Sequence, residues 1–114
     1  MKIYQKILAE VLQTYMNLSD AEIERLLQDP ALVIKERIKK IGDLEVLIYS
    51  NDHNPPHFHV KTRDRNIDAK FSILTGEYMS GEIDAKSLKK IKAFYHSPKT
   101  QLILTNVWNK RLQA

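Results

Sequence analysis

Three of the four histidines of the chain lie within seven positions, in the segment Asn51 to Val60. Imidazole is the side chain whose charge changes near neutral pH, and its unprotonated nitrogen binds metal ions. Two consecutive prolines, Pro55 and Pro56, restrict the backbone between these histidines. We therefore expect the three imidazoles and the neighbouring Asp52 to converge at a proline-braced bend that is open to solvent.

One chemistry that this cluster could perform is the binding of a divalent metal ion. His57 and His59 are two positions apart, so on a strand both imidazoles would lie on the same face of a sheet. His53 or Asp52 could complete the site from across the bend, and zinc, nickel or manganese would suit such nitrogen and oxygen ligands. The sequence contains no established metalloenzyme motif such as His-Glu-x-x-His.

A second chemistry is the cleavage of RNA without a metal. His53, His57 and His59 could take a proton from a 2′-hydroxyl and protonate a leaving oxygen, as histidine does when its pKa lies near the ambient pH. Four basic side chains on the neighbouring strands could contact phosphates: Lys61, Arg63, Arg65 and Lys70. Alternating basic residues are also typical of any solvated strand face, so this signal is weak.

The third alternative assigns no chemistry to the histidines. Their side chains would hydrogen-bond backbone groups around the proline bend, and Phe58 would anchor the loop in the core. The loop would then be a recognition surface for a partner protein, because loops carry binding at least as often as catalysis. The residue pattern leaves all three alternatives open.

Two helices are predicted before this loop. Apolar residues recur at three- and four-residue steps over residues 3–16, which predicts a helix with one broad apolar face. Ser19 and Glu22 have the spacing of a capping box and place the start of a second helix at Ser19. That helix ends at Asp29, because the residue before Pro30 is pushed out of helical geometry. The two helices would form a hairpin.

Several short strands are predicted in the middle of the chain. Residues 32–41 suit either a further helix or a strand that turns at Gly42, and we favour the strand. Four later segments have the apolar runs or alternating patterns of strands: residues 44–49, 57–61, 67–73 and 78–83. In the second of them, Phe58 and Val60 should face one side while the histidines face the other.

Two further helices are predicted to follow the strands. Asp84 can cap the first, and Ser97 with Pro98 can end it and begin the second. The apolar stripe of the first helix is predicted to contain Leu88, Ile91, Phe94 and Tyr95, and that of the second Leu104, Val107, Trp108 and Leu112. The order of elements predicts an α+β fold, with a small antiparallel sheet of about four to five strands, an N-terminal helical hairpin and two C-terminal helices.

The composition limits the classes of protein to which the chain can belong. Its 114 residues suit a single domain spanning 1–114. No apolar run approaches the roughly 20 residues that span a bilayer, and charged residues interrupt the N-terminus before a secretory signal could form. Cysteine is absent, which excludes disulfides and thiolate metal ligands and fits the reducing cytoplasm. We therefore predict a cytoplasmic protein without a membrane segment.

The charge balance bears on the partners of the chain. Eighteen Lys and Arg against fourteen Asp and Glu give a formal net charge of +4 and a pI near 9.3. This modest excess is compatible with an acidic partner such as RNA, although a solvated surface would show it too. The apolar N-terminal helix also makes a homodimer worth testing.

The segment from Asn51 to Val60 resembles the signature of a family of small bacterial and archaeal proteins, the domain of unknown function DUF4160. The family core, Asp-His-x-Pro-Pro-His-Phe-His, is present as residues 52–59. An apolar strand precedes that core, and a turn-rich β segment, a glycine and a helical tail with a late tryptophan follow it. The resemblance covers residues 36–112, and residues 1–30 are a helical extension outside it.

The resemblance implies a partner more firmly than a reaction, since the family has no established activity. Its members often look like halves of toxin–antitoxin pairs and are encoded beside another small uncharacterised protein. We therefore predict one component of a toxin–antitoxin-like pair, with a small companion protein, that acts through the His-rich loop and has RNA as its first candidate substrate. The alternative is a non-catalytic protein-interaction module, or a domain in which a divalent metal such as zinc is bound at a structural histidine loop.

Overall fold

The computed structural model describes residues 2–29, 43–49, 53–63 and 66–111. In chain order, these ranges contain α1 (Lys2–Met16), α2 (Asp20–Gln28), β1 (Glu45–Leu47), β2 (His57–Thr62), β3 (Ile67–Ser72), β4 (Tyr78–Glu82), α3 (Ala85–His96) and α4 (Pro98–Arg111). The predicted α+β class is confirmed, with a helical pair before the strands and two helices after them. The strand favoured within residues 32–41 lies outside the described ranges.

The described strands form one antiparallel sheet in the order β1-β2-β3-β4. Val46 pairs with Val60 and Val60 with Ala69, while Phe58 pairs with Phe71. Residues that pair directly share a face of the sheet, so these five side chains form one apolar inner face. All five are buried, which confirms the predicted alternation in β2.

Helices α1 and α3 supply the apolar side chains that cover this inner face. Leu8 and Leu12 of α1 are fully buried. The ring of Phe94 in α3 packs edge-on against Phe58 with centroids 6.4 Å apart, and against Tyr15 of α1 at 6.1 Å. Burying a side chain of this size contributes about 1.5–3 kcal/mol, so this layer supplies much of the driving force for folding.

The predicted helix boundaries are confirmed at three points. The Ser19 hydroxyl accepts a hydrogen bond from the Glu22 amide at 3.2 Å, and the Glu22 carboxylate accepts one from the Ser19 amide at 3.0 Å. The Asp84 carboxylate accepts from the Ser87 amide at 3.0 Å and caps α3. Pro98 occupies the first position of α4, where its missing amide proton costs nothing.

The structure corrects two details of the prediction. The strand β1 covers only Glu45–Leu47 of the predicted residues 44–49. Leu88, which was predicted in the buried stripe of α3, is 36% exposed. In the first turn of α3 the buried residue is Ser87, one position before Leu88, and the buried stripe continues from Ser87 to Ile91.

The last strand, β4, contains a glycine whose backbone conformation other residues rarely adopt. Gly81 has φ +105°, and a Cβ atom at this position would lie 2.2 Å from the Asp68 carbonyl oxygen. The pairing of β3 with β4 also shifts register between Lys70 and Phe71, which marks a bulge. The strand runs without a break through Gly81, which pairs with Ala69, so the close approach to Asp68 lies within the strand.

Candidate functional site

The side of the sheet opposite the apolar inner face carries mostly polar side chains, which cross-strand pairing arranges in rows. One row consists of Leu47, His59, Lys70 and Ser80. The next consists of Glu45, Lys61, Asp68 and Glu82. We call these eight residues the polar face, and the two sets its histidine row and its acidic row.

His57 lies on the same side of β2 as the histidine row, but its ring is packed into the protein. The rings of His57 and His59 are 5.1 Å apart, which confirms that their spacing brings both imidazoles together. His57 is only 6% exposed, and its ring contacts Trp108 of α4 at 5.7 Å. The prediction that His57 lies at a bend open to solvent is therefore wrong, because α4 covers it.

The environment of His57 also determines which ring nitrogen carries its proton. Its Nδ1 atom lies 2.8 Å from the Pro55 carbonyl oxygen. A carbonyl can only accept a hydrogen bond, so Nδ1 carries the proton and donates it. This bond joins the first residue of β2 to the proline bend, in which the peptide bond between Asn54 and Pro55 is cis. His57 thus holds the bend against the strand.

His59 is the imidazole that the polar face presents. It is half-buried, its ring contacts that of Tyr49 at 4.8 Å, and Lys70 is its cross-strand neighbour on β3. Its Nε2 atom is covered. Two cations and an aromatic ring therefore border a single histidine, since Lys61 is the next residue on the same side of β2.

The neighbours of Lys61 favour its ionised form. A hydrogen bond with the Tyr49 side chain raises the pKa of Lys61 above its usual value, and the Asp68 and Glu45 carboxylates act in the same direction. A positive charge therefore persists beside His59 throughout the physiological pH range. The Tyr49 ring, 38% exposed, links Lys61 to His59 because it contacts both.

The remaining predicted site residues are not drawn into this group. His53 is exposed, and Arg63 is exposed and paired with Asp43 at 3.6 Å. Asp52 and Arg65 lie outside the described residues. Over the ranges that the structure describes, no three histidine or carboxylate side chains are placed to hold a metal ion. The predicted metal site of His53, His57, His59 and Asp52 therefore gains no support from the described residues.

Two residues of the site have roles that sequence analysis missed. Tyr49 was read only as part of a strand, although it lies two positions after Leu47 and alternation places both on one side. Trp108 was correctly read as core, and it is 5% exposed, but its contact with His57 joins residues 51 positions apart. The first could have been found from alternation, whereas the second depends on where α4 packs.

Comparison with known proteins gives one match. The family model described as domain of unknown function (DUF4160) matches residues 44–108, from the start of the sheet region to Trp108. No curated protein and no solved structure matches the chain. The match confirms the predicted family, and it leaves α1 and α2 outside the matched residues. None of the helices within the described ranges has the length and apolar character needed to cross a bilayer.

Proposed function

The chain belongs to the DUF4160 family, and we propose that it acts on RNA as one component of a toxin–antitoxin-like pair. The observation that carries this proposal is the grouping of His59 with Tyr49, Lys61 and Lys70 on one side of the sheet. Imidazole, two ammonium groups and an exposed aromatic ring are the groups that bind and process unpaired RNA. The companion protein is supported only by the usual setting of family members.

Each side chain has a distinct task in this proposal. Lys70 faces His59 and Ser80 across the strands, so its charge is available to a phosphate. Tyr49 stacks on one base, a contact worth about 1–3 kcal/mol in other proteins that bind unpaired strands. His59 takes the proton of a ribose 2′-hydroxyl as that oxygen attacks the adjacent phosphorus, and water protonates the 5′-oxygen that leaves.

The other two histidines receive different roles from those predicted. His57 positions His59, because its ring supports that of His59 from the side of Trp108. It does not touch RNA, since it is buried and its Nδ1 atom is engaged by Pro55. His53 has no task in the proposal.

Binding of a fluorescent, unstructured RNA decamer by purified protein tests the proposal. Lys70→Ala should weaken binding by about tenfold, because it removes a phosphate contact. Lys92→Ala is the matched control, since Lys92 is exposed on α3 and its loss changes the net charge equally. It should change the affinity by less than about twofold. Equal effects of the two variants would show that the polar face is not the RNA site.

The toxin role is tested by expression in bacteria. The protein expressed alone should arrest growth, and co-expression of the protein encoded beside it should relieve the arrest. His59→Ala should abolish the arrest while leaving the amount of folded protein unchanged. Arrest by a well-folded His59→Ala variant would show that His59 is not the reactive group.

A second candidate function is a non-catalytic interaction module. It is favoured by the buried, hydrogen-bonded state of His57, which gives the His-rich loop a structural task. In that case the companion protein should bind the polar face while RNA does not bind at all. The same Lys70→Ala and Lys92→Ala pair, measured against the purified companion, distinguishes the two functions.

A further inference from the structure

The polar face has opposite electrostatic character in its two rows. The histidine row carries Lys70 and His59 and contains no carboxylate. The acidic row carries three carboxylates and one ammonium, and it lies on the side of the β2–β3 turn. Same-face residues on a strand are two positions apart, so the rows are separated by about 7 Å. The formal side-chain charge is therefore positive in one row and negative in the other, over about the length of one nucleotide.

Lys61 offsets only one of the three carboxylate charges of the acidic row. It lies directly between Glu45 on β1 and Asp68 on β3, and both carboxylates help to raise its pKa. Glu82 on β4 pairs in turn with Asp68, which places two carboxylates side by side. Like charges in directly opposed positions repel one another, so this pair is costly to the fold. Such a pair would repel a phosphate at the same place more strongly than either carboxylate alone.

A strand of RNA that crossed the whole face would meet both rows. One phosphate would contact Lys70, and the next phosphate towards the β2–β3 turn would lie over Asp68 and Glu82. On the other side of the histidine row lie Tyr49 and the packed His57, and Glu77 lies beside Ser72 at the same end of the sheet. Among the described residues, one exposed carboxylate thus lies near the proline bend, against three in the acidic row. The arrangement therefore resists RNA most where a strand passes the histidine row towards the β2–β3 turn.

We propose that the polar face binds the end of an unpaired RNA strand and that Asp68 and Glu82 stop the strand there. This inference rests on the proposed action on RNA and specifies the substrate as unpaired RNA with a free end. The terminal base stacks on Tyr49, one phosphate contacts Lys70, and the acidic row disfavours a strand that passes through. Asp68 and Glu82 are thus specificity-determining residues that need not touch the RNA.

The experiment compares linear and circular unpaired RNA of the same sequence, each 12 nucleotides long by design and labelled on a base. Circular RNA has no end, so it should bind at least about tenfold more weakly than the linear form. The dependence of the linear complex on salt should have a slope near 0.7, the value for about one neutralised phosphate in a single strand. The double variant Asp68→Asn, Glu82→Gln should bring the circular form to within about twofold of the linear form.

A charge-matched control separates the local effect of the acidic row from the net charge. Glu10 and Glu24 are exposed on α1 and α2, so Glu10→Gln, Glu24→Gln removes the same charge elsewhere. This control should leave the ratio between linear and circular RNA unchanged. Three results would each overturn the inference without affecting the proposed action on RNA. The wild type could bind both forms equally, or the salt slope of the linear complex could exceed about 2. The acidic-row variant could also leave the ratio between linear and circular RNA unchanged. Absence of binding by either form would instead overturn the proposed action on RNA.

Discussion

At the scale of single residues, His57 and His59 differ in role although they are neighbours on one side of β2. His57 is buried between the proline bend and α4, while His59 is half-buried and faces Tyr49 and Lys70. The spacing of two positions predicted a common direction for both rings. It did not predict their burial, which depends on Trp108 from the far end of the chain.

This difference predicts unequal effects on stability. His57→Ala should lower the free energy of unfolding by about 2 kcal/mol or more, because it removes a buried ring and its hydrogen bond to Pro55. His59→Ala should cost less than about 1 kcal/mol, since its ring is only partly covered. Urea denaturation of both variants measures these values. A larger loss for His59→Ala would contradict the assigned roles.

The link between Tyr49 and Lys61 predicts a change in titration. Tyr49→Phe removes the hydrogen bond that contributes most to the raised pKa of Lys61, so that pKa should fall towards the usual lysine value. Because the folded-state pKa is the higher one, its contribution to stability is complete below the unfolded-state pKa and is lost as the pH rises through the folded-state pKa. Side-chain NMR titration of Lys61 in both proteins provides the measurement. An unchanged pKa would exclude the bond in solution.

At the scale of secondary-structure elements, β4 is an exposed edge strand with features that disfavour pairing with other chains. Its five residues are exposed, its pairing contains a bulge, and the Tyr78 hydroxyl donates a hydrogen bond to the Gly81 carbonyl at 2.5 Å. Bulges and occupied backbone groups disfavour edge-to-edge association. This strand therefore closes the sheet instead of extending it.

Gly81 should be intolerant of any side chain. Gly81→Ala places a Cβ atom against the Asp68 carbonyl in a left-handed backbone conformation, so it should cost at least about 2 kcal/mol of stability. Ser80→Ala is the neighbouring control, because Ser80 is exposed and its backbone is ordinary. Thermal unfolding compares the two. Similar melting temperatures for both variants would show that β4 relaxes around the added methyl group.

Local signals explain why most elements were predictable, and long-range packing explains the exceptions. The capping box at Ser19, the cap at Asp84 and the alternation around Phe58 depend on residues a few positions apart. The rows of the polar face depend on the register of four strands, and that register is set by the turns and by burial of one face together, so the pattern of a single strand does not reveal it. For the same reason, His59 and Lys70 were both predicted as site residues, but their pairing across β2 and β3 was not predicted.

At the scale of the whole molecule, the N-terminal helix is part of the core although the family match begins at residue 44. Leu8 and Leu12 are fully buried, and the Gln5 side chain accepts a hydrogen bond from the Ile48 amide at 3.0 Å. Helix α1 also contacts α3, α4 and β1. It is therefore a layer of this fold, whatever else the N-terminal extension does.

Removal of residues 1–28 should consequently unfold the protein. Loss of α1 and α2 would expose the apolar inner face around Phe58 and Phe94, and a core of this size has little stability to spare. The truncated chain should show poor dispersion in its proton–nitrogen NMR spectrum and no cooperative thermal transition. A cooperative transition near that of the full chain would show that the family-matched region folds alone.

The central claim is that the polar face around His59 is where RNA binds. Titration of the isotope-labelled protein with a short unpaired RNA, followed by NMR, tests it most directly. We predict the largest shifts at Tyr49, His59 and Lys70, with little change at Lys86 and Lys92 on α3. Shifts confined to α3, or an unchanged spectrum at millimolar RNA, would contradict it.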